Sequence, residues 1–185
     1  MNSLQLIHQG VLFGHVAAFA IAFSAVVRED IAMVKAQRID MQRLASTAQT
    51  LTGALIVLWL TGLALIGFAT GMDPDALMAR PKLLAKLLVV VALTANGIAL
   101  HAFVFPRLAQ PGIQQRPNVV VPVVLGAVST ASWLYASFIG AARVIAPSMS
   151  FKNFMAGYVA LLVLAIIVGL VFVRPRVSRM VIVAQ

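Results

Sequence analysis

Four side chains in this chain are of types that bind cofactors: His8, His15, His101 and Lys86. Neutral imidazole binds haem iron and copper, and a lysine ammonium can hold an anionic group such as a haem propionate. His8 and His15 are seven residues apart, so a helix would place them on one face but about 10 Å apart along its axis. Both cannot bind one ion across that distance. We predict His15 as the main haem or metal ligand, His8 as a second metal candidate, and His101 and Lys86 as further cofactor-binding candidates.

The chain offers little else for catalysis. It has no cysteine, which excludes disulfides, iron–sulfur clusters and cysteine nucleophiles. It also lacks a phosphate-binding GxxxxGKS/T loop and a zinc-binding HExxH helix. The acidic residues, all outside the apolar runs described below, are Glu29, Asp30, Asp40, Asp73 and Asp75. A carboxylate proton relay is therefore not expected, and the question of enzymatic activity stays open.

The elements that carry these side chains are predicted to be apolar helices. Hydrophobic residues make up 62% of the 185 residues and charged residues 10%, with a mean hydropathy of +1.00. Roughly 25% of residues in a soluble domain are charged, so this composition indicates an integral membrane protein in a lipid bilayer. Five runs are long enough to cross a bilayer: residues 4–27, 44–70, 82–105, 119–144 and 151–173. The sequence predicts an all-α, polytopic transmembrane helix bundle that forms one domain over residues 1–185.

Basic residues between the runs predict the orientation of the bundle. If the N-terminus is outside, nine Lys and Arg residues fall on the inner side and five on the outer side. Positive charge concentrates on the cytoplasmic side of membrane proteins. We therefore predict a bacterial cytoplasmic (inner) membrane protein with its N-terminus outside and its C-terminus in the cytoplasm. Its net charge of +9 suits anionic lipid headgroups, and no nucleic acid is expected as a partner.

Depth along the predicted helices separates the histidines. At 1.5 Å per residue, His15 lies roughly 16 Å below the outer surface and His101 roughly 30 Å below it, so they are not expected to share one iron. Four polar or aromatic side chains lie at about the depth of His15: Trp59 and Thr61 in the second run, and Ser132 and Tyr135 in the fourth. Each histidine can instead simply bond a neighbouring helix, and Lys86 can extend its amine to the surface. Because an unpartnered polar ring is costly in lipid, His15 is predicted to face the bundle interior.

Two segments predict how the helices continue and meet. Residues 28–43 contain no Gly or Pro, which predicts helix across most of this charged segment. In the fourth run, small and polar residues recur at helical spacing: Gly126, Thr130, Trp133, Ser137 and Gly140. Such a face usually packs closely on another helix, and a pocket wall is the alternative.

Residues 80–108, RPKLLAKLLVVVALTANGIALHAFVFPRL, resemble a stretch of the copper-resistance D-type membrane family. The chain is also similar to the haem-linked protoporphyrinogen oxidase family of small bacterial membrane proteins. That family has a histidine early in its first span and a TGL-like motif that closes its second span. These features correspond here to His8 or His15 and to residues 61–63. Together these matches cover about a third of the chain, and the later motif of the oxidase family has no clear counterpart. The resemblance implies binding of haem b or copper.

These features favour an inner-membrane protein that binds haem b or a metal within its helix bundle, for electron transfer or for the handling of metals or porphyrins. Two other functions are compatible with the sequence. The small-residue faces suit a non-catalytic accessory subunit that docks on a membrane protein partner or on a second copy of the chain. The polar residues at middle depth suit a transporter for a small solute.

Overall fold

The computed structural model describes residues 2–35, 38–108, 119–179 and 181–183, and most of them are helical. The elements are α1 (Ser3–Lys35), β1 (Arg38–Asp40), α2 (Met41–Thr70), α3 (Pro74–Met78), α4 (Pro81–Ala99), α5 (Phe105–Leu108), α6 (Val120–Ala141), α7 (Phe151–Val168), α8 (Arg174–Val177) and β2 (Val181–Val183). A π-helical segment over Leu100–Val104 joins α4 to α5, and another over Gly169–Val173 joins α7 to α8.

Within the described part of the chain, five helical stretches are long and apolar enough to cross a membrane: Ser3–Lys35, Met41–Thr70, Pro81–Val104, Val120–Ala141 and Phe151–Val177. The predicted all-α bundle of about five spans is confirmed. Large apolar side chains point outward along these helices, and Phe13, Leu60 and Ile98 are each exposed by more than 60%. A continuous apolar exterior of this kind is suited to lipid rather than to water. The protein therefore spans a membrane and contacts the bilayer.

Helices α1 and α2 form a close antiparallel hairpin. The ring of His8 packs edge-on against Phe68 with 5.4 Å between centroids. Two turns further along α1, His15 bonds Thr61, and near the connection Glu29 accepts a hydrogen bond from Thr47 at 3.2 Å. In all three pairs the residue numbers sum to 76, as expected for two straight helices that run in opposite directions in one register. The same hairpin carries an ion pair of 3.1 Å between Arg43 and Glu29.

Helices α4, α6 and α7 form the other half of the bundle. The buried Asn96 side chain donates from Nδ2 to the carbonyl oxygen of Leu125 at 3.1 Å, which joins α4 to α6. Helix α6 is joined to α7 by the 2.7 Å hydrogen bond between the hydroxyls of Ser132 and Tyr158. The hydroxyl of Tyr135 also donates to the carbonyl oxygen of Phe154 on α7. Polar links of this type hold helices together in lipid, where apolar contact alone gives little selectivity.

The prediction of helix across residues 28–43 is only partly correct. Helix continues to Lys35 and resumes at Met41, but Arg38–Asp40 is an extended strand that pairs in parallel with Val181–Val183. Residues 36 and 37 lie outside the described part of the chain. The chain must reverse direction between the antiparallel helices α1 and α2, so the helix has to break here. Asp40 ends the strand and starts the next helix, because its side chain accepts a hydrogen bond from the backbone N–H of Arg43.

The predicted small-residue face on the fourth span packs against α1 at Trp133, whose ring lies 5.8 Å from that of Phe19, but it is not closely packed at its two glycines. A Cβ added to Gly126 or Gly140 would meet nothing within 4 Å, so no helix approaches closely there. The glycines that permit close packing lie on the partner helix instead. A Cβ on Gly157 would lie 3.1 Å from the Tyr135 hydroxyl, and one on Gly169 would lie 3.2 Å from Val123 Cγ1. Gly126 lines a cavity, which corresponds to the alternative of a pocket wall.

If all five apolar helices cross the membrane, the two ends of the chain are expected on opposite sides, and the charge balance predicts which end is inside. A reporter fused at Gln185 is expected to be active in the cytoplasm, and one inserted after Asp75 is expected outside. Paired fusions to a periplasm-active phosphatase and a cytoplasm-active fluorescent protein measure both positions. The reverse result at both sites would contradict the predicted orientation.

Candidate functional site

His15 on α1 is held by a hydrogen bond to α2, as its predicted interior position requires. Its Nδ1 lies 2.8 Å from Oγ1 of Thr61. The same hydroxyl lies 2.6 Å from the carbonyl oxygen of Val57 and must donate to it, since a carbonyl carries no proton. The only hydroxyl proton is thereby used, so the Nδ1–H of His15 donates to Thr61. The lone pair is left on Nε2, which is the tautomer of a histidine that binds metal through Nε2.

The Nε2 atom of His15 is unpartnered in the described part of the chain and lies near a cation. Nε2 has no hydrogen-bond partner among the residues that the structure describes, and it is not sealed inside the protein. A Cβ at Gly62 would stand 3.5 Å from Cε1 of His15, at ordinary contact distance, so Gly62 lies beside the Cε1–Nδ1 edge of the ring. Lys86 on α4 is half-buried and close enough for its charge to interact with His15. Across the described ranges Lys86 makes no hydrogen bond or ion pair.

The other two predicted histidines lie away from this site. His8 stands two turns from His15 and its ring contacts Phe68. The Nδ1 of His101 lies 2.9 Å from the carbonyl oxygen of Gly97, one turn earlier in its own helix. His101 follows Lys86 by fifteen residues, or about 22 Å of helix, so it lies towards the opposite end of the bundle. The described residues contain no group of three or more His, Cys, Asp or Glu side chains that could hold a metal ion.

No known protein family, curated protein or solved structure matches this chain. One contact connects that geometry with the sequence resemblance. In the TGL triplet of span two, Thr61 bonds the ring of His15 and Gly62 stands beside it. Of the two candidate histidines, His15 is therefore the one that pairs with the triplet.

A cavity of about 430 Å³ lies between the α1–α2 hairpin and helices α4, α6 and α7. Its walls are mostly apolar and include Val26, Leu51, Leu93, Val104, Val123 and Trp133. Asp30 faces this cavity, and its Oδ2 accepts a hydrogen bond of 2.9 Å from the Thr130 hydroxyl. His101 also lies in the wall.

Sequence reasoning placed Asp30 outside the spans and missed this cavity. The predicted first span ended at residue 27, whereas the helix runs to Lys35 and brings Asp30 against α6. A signal was present, because Asp30 follows the buried Val26 by four residues and so shares its face of a continuing helix. The apolar residues that follow Asp30, such as Met33, also line the cavity.

Proposed function

We propose that the protein binds one haem b inside its membrane-spanning bundle, and that Nε2 of His15 would hold the iron. The observation that carries this proposal is the bond from His15 to Thr61, which fixes the ring and leaves Nε2 unprotonated. Metal-binding histidines generally donate their other ring N–H to a protein acceptor, because this bond sets the tautomer and the ring orientation. Gly62 lies beside the Cε1–Nδ1 edge of the same ring, away from Nε2.

The charges near His15 suit the carboxylates of a haem. Lys86 interacts electrostatically with Lys82 and Arg143, so three cations gather where α4 begins and just beyond the end of α6. Lys82 uses its amine to donate to the carbonyl oxygen of Ala142 at 3.1 Å. Lys86 has no such partner in the described part of the chain. In this proposal the Lys86 ammonium binds a haem propionate.

A haem suits this donor set better than a bare copper ion. A metal ion held by side chains alone needs several of them, and the described residues offer no cluster of three. A haem carries its own ring nitrogens and needs only one or two protein ligands. When bound, it supplies a one-electron redox centre or a porphyrin in transit. The proposed function is accordingly electron transfer or porphyrin handling in the bacterial inner membrane.

The absorption spectrum of the protein tests this function. The protein is purified from haem-replete cells in mild detergent, and spectra are taken oxidised, dithionite-reduced and reduced under carbon monoxide. A Soret band and a haem b α-band are expected, and carbon monoxide should shift the Soret band because no second histidine lies near His15. A colourless, well-folded preparation contradicts the haem proposal and favours the accessory-subunit function. A haem insensitive to carbon monoxide contradicts the single-histidine site.

A further inference from the structure

The cavity between the two halves of the bundle has the character of a ligand site that is separate from His15. Its volume of about 430 Å³ falls within the range of small-molecule pockets, which are concave, mainly apolar and carry few polar groups. Glycine positions keep it open: a Cβ on Gly97 or Gly126, both in the wall, would meet nothing within 4 Å.

Two acidic residues line the cavity, and among the described residues only one of them has a cationic partner. Glu29 is neutralised by Arg43 at 3.1 Å and also accepts from the Thr47 hydroxyl. Asp30, one residue further along, has only the Thr130 hydroxyl as a partner among the described residues, and no cation lies within ion-pair distance of it there. Asp30 is exposed, so its carboxylate is accessible to a ligand in the cavity. Apolar walls on one side of it strengthen the attraction to an opposite charge relative to open water.

We propose that this cavity binds a hydrophobic organic cation, with Asp30 as its counter-ion and the apolar walls around its body. Charge complementarity at Asp30 favours a cation over a lipid acyl chain, which would leave the carboxylate without a partner. Thr130 holds the carboxylate in place across the gap between α1 and α6. This site is independent of the proposed haem site.

Binding of tetraphenylphosphonium tests this proposal, with tetraphenylborate as a probe of the same shape and opposite charge. The full chain is placed in phosphatidylcholine nanodiscs, and the affinity of each probe is measured by equilibrium dialysis. The variants are Asp30→Asn, which keeps an oxygen acceptor for Thr130, and Gly126→Leu, which fills the cavity. Asp75→Asn, in the connection between α2 and α4, removes the same charge elsewhere and serves as the control. Thermal unfolding establishes that all three fold.

We expect the phosphonium to bind the native chain and the borate to bind no better than to empty nanodiscs. Asp30→Asn should weaken phosphonium binding by about tenfold or more, the scale of one lost charge contact in a partly buried site. Gly126→Leu should weaken it similarly, and Asp75→Asn should change it by less than about twofold. Equal binding of the two probes overturns the proposal. So does a loss of binding in Gly126→Leu with none in Asp30→Asn, which would assign the cavity to a neutral chain such as a lipid tail.

Discussion

Replacement of His15 by alanine is expected to abolish the Soret band of the purified protein. The imidazole is the only predicted iron ligand on its side of the haem, and no other histidine stands within reach to replace it. The measurement is the Soret absorbance per chain of the native protein and of His15→Ala, purified in parallel. The apoprotein should also unfold more easily by about 1 kcal/mol, the scale of one lost interhelical hydrogen bond.

Two matched variants separate ligation from general damage to the bundle. His8→Ala removes an imidazole from the same face of α1 but only a ring contact with Phe68, so most of the Soret band should remain. Thr61→Val keeps the shape of the side chain and removes the acceptor for the His15 ring. Haem affinity should then fall by about 10- to 100-fold, as for other lost partners of metal-binding histidines. Equal haem content in His15→Ala and His8→Ala would refute the assignment of His15.

The second large effect is expected at Gly169, where α7 gives way to its π-helical segment. Its Cβ position lies 3.2 Å from Val123 Cγ1 and 3.4 Å from the Cβ of Ala127, so a larger side chain must push α6 away. Gly169→Leu should lower the free energy of unfolding by about 1–3 kcal/mol, the usual range for overpacking. Reversible unfolding by a denaturing detergent measures this change.

Gly140→Leu on α6 is the control for that experiment. Its Cβ would meet nothing within 4 Å, and the position is exposed. Both substitutions gain the same helix propensity, so any difference between them reports packing. Gly140→Leu is expected to leave stability unchanged or slightly higher. A Gly169→Leu protein as stable as Gly140→Leu would show that α6 and α7 are not in close contact there.

The five spans could be predicted from sequence because each depends on a local property, a run of about 20 apolar residues. Their faces could not be predicted in the same way. Gly126 and Gly169 are both glycines in apolar helices and both line the cavity, yet a Cβ at Gly126 would meet nothing within 4 Å and one at Gly169 would lie 3.2 Å from Val123 Cγ1. The difference depends on how α6 and α7 are rotated about their axes, and in lipid an outward face can be as apolar as an inward one.

In the candidate site, too, the residue types could be predicted from the sequence, but their contacts could not. The types of His15 and Lys86 marked them as candidates, since polar groups are costly inside a membrane. The partner of His15 is set by the register of the α1–α2 hairpin. Predicted depth in the membrane cannot give this register, because Thr61 and Trp59 have similar depths. In the structure Thr61 bonds His15, whereas Nε1 of Trp59 donates to Oγ1 of Thr94 on α4 at 3.0 Å. The charges of residues 28–30 predict that the first span ends before Asp30, whereas helix α1 continues past it to Lys35.

Rescue by free imidazole tests the role of His15 most directly. His15→Gly removes the whole side chain and leaves a space next to Gly62 in which imidazole can stand. The variant, purified without haem, is mixed with haem b and titrated with imidazole, and the Soret band is followed. We expect no bound haem without imidazole, recovery of the band as imidazole is added, and no such recovery with the non-ligating analogue pyrrole. Haem binding by His15→Gly that equals the native protein without imidazole would contradict the proposed ligand, as would the absence of haem binding by the native chain.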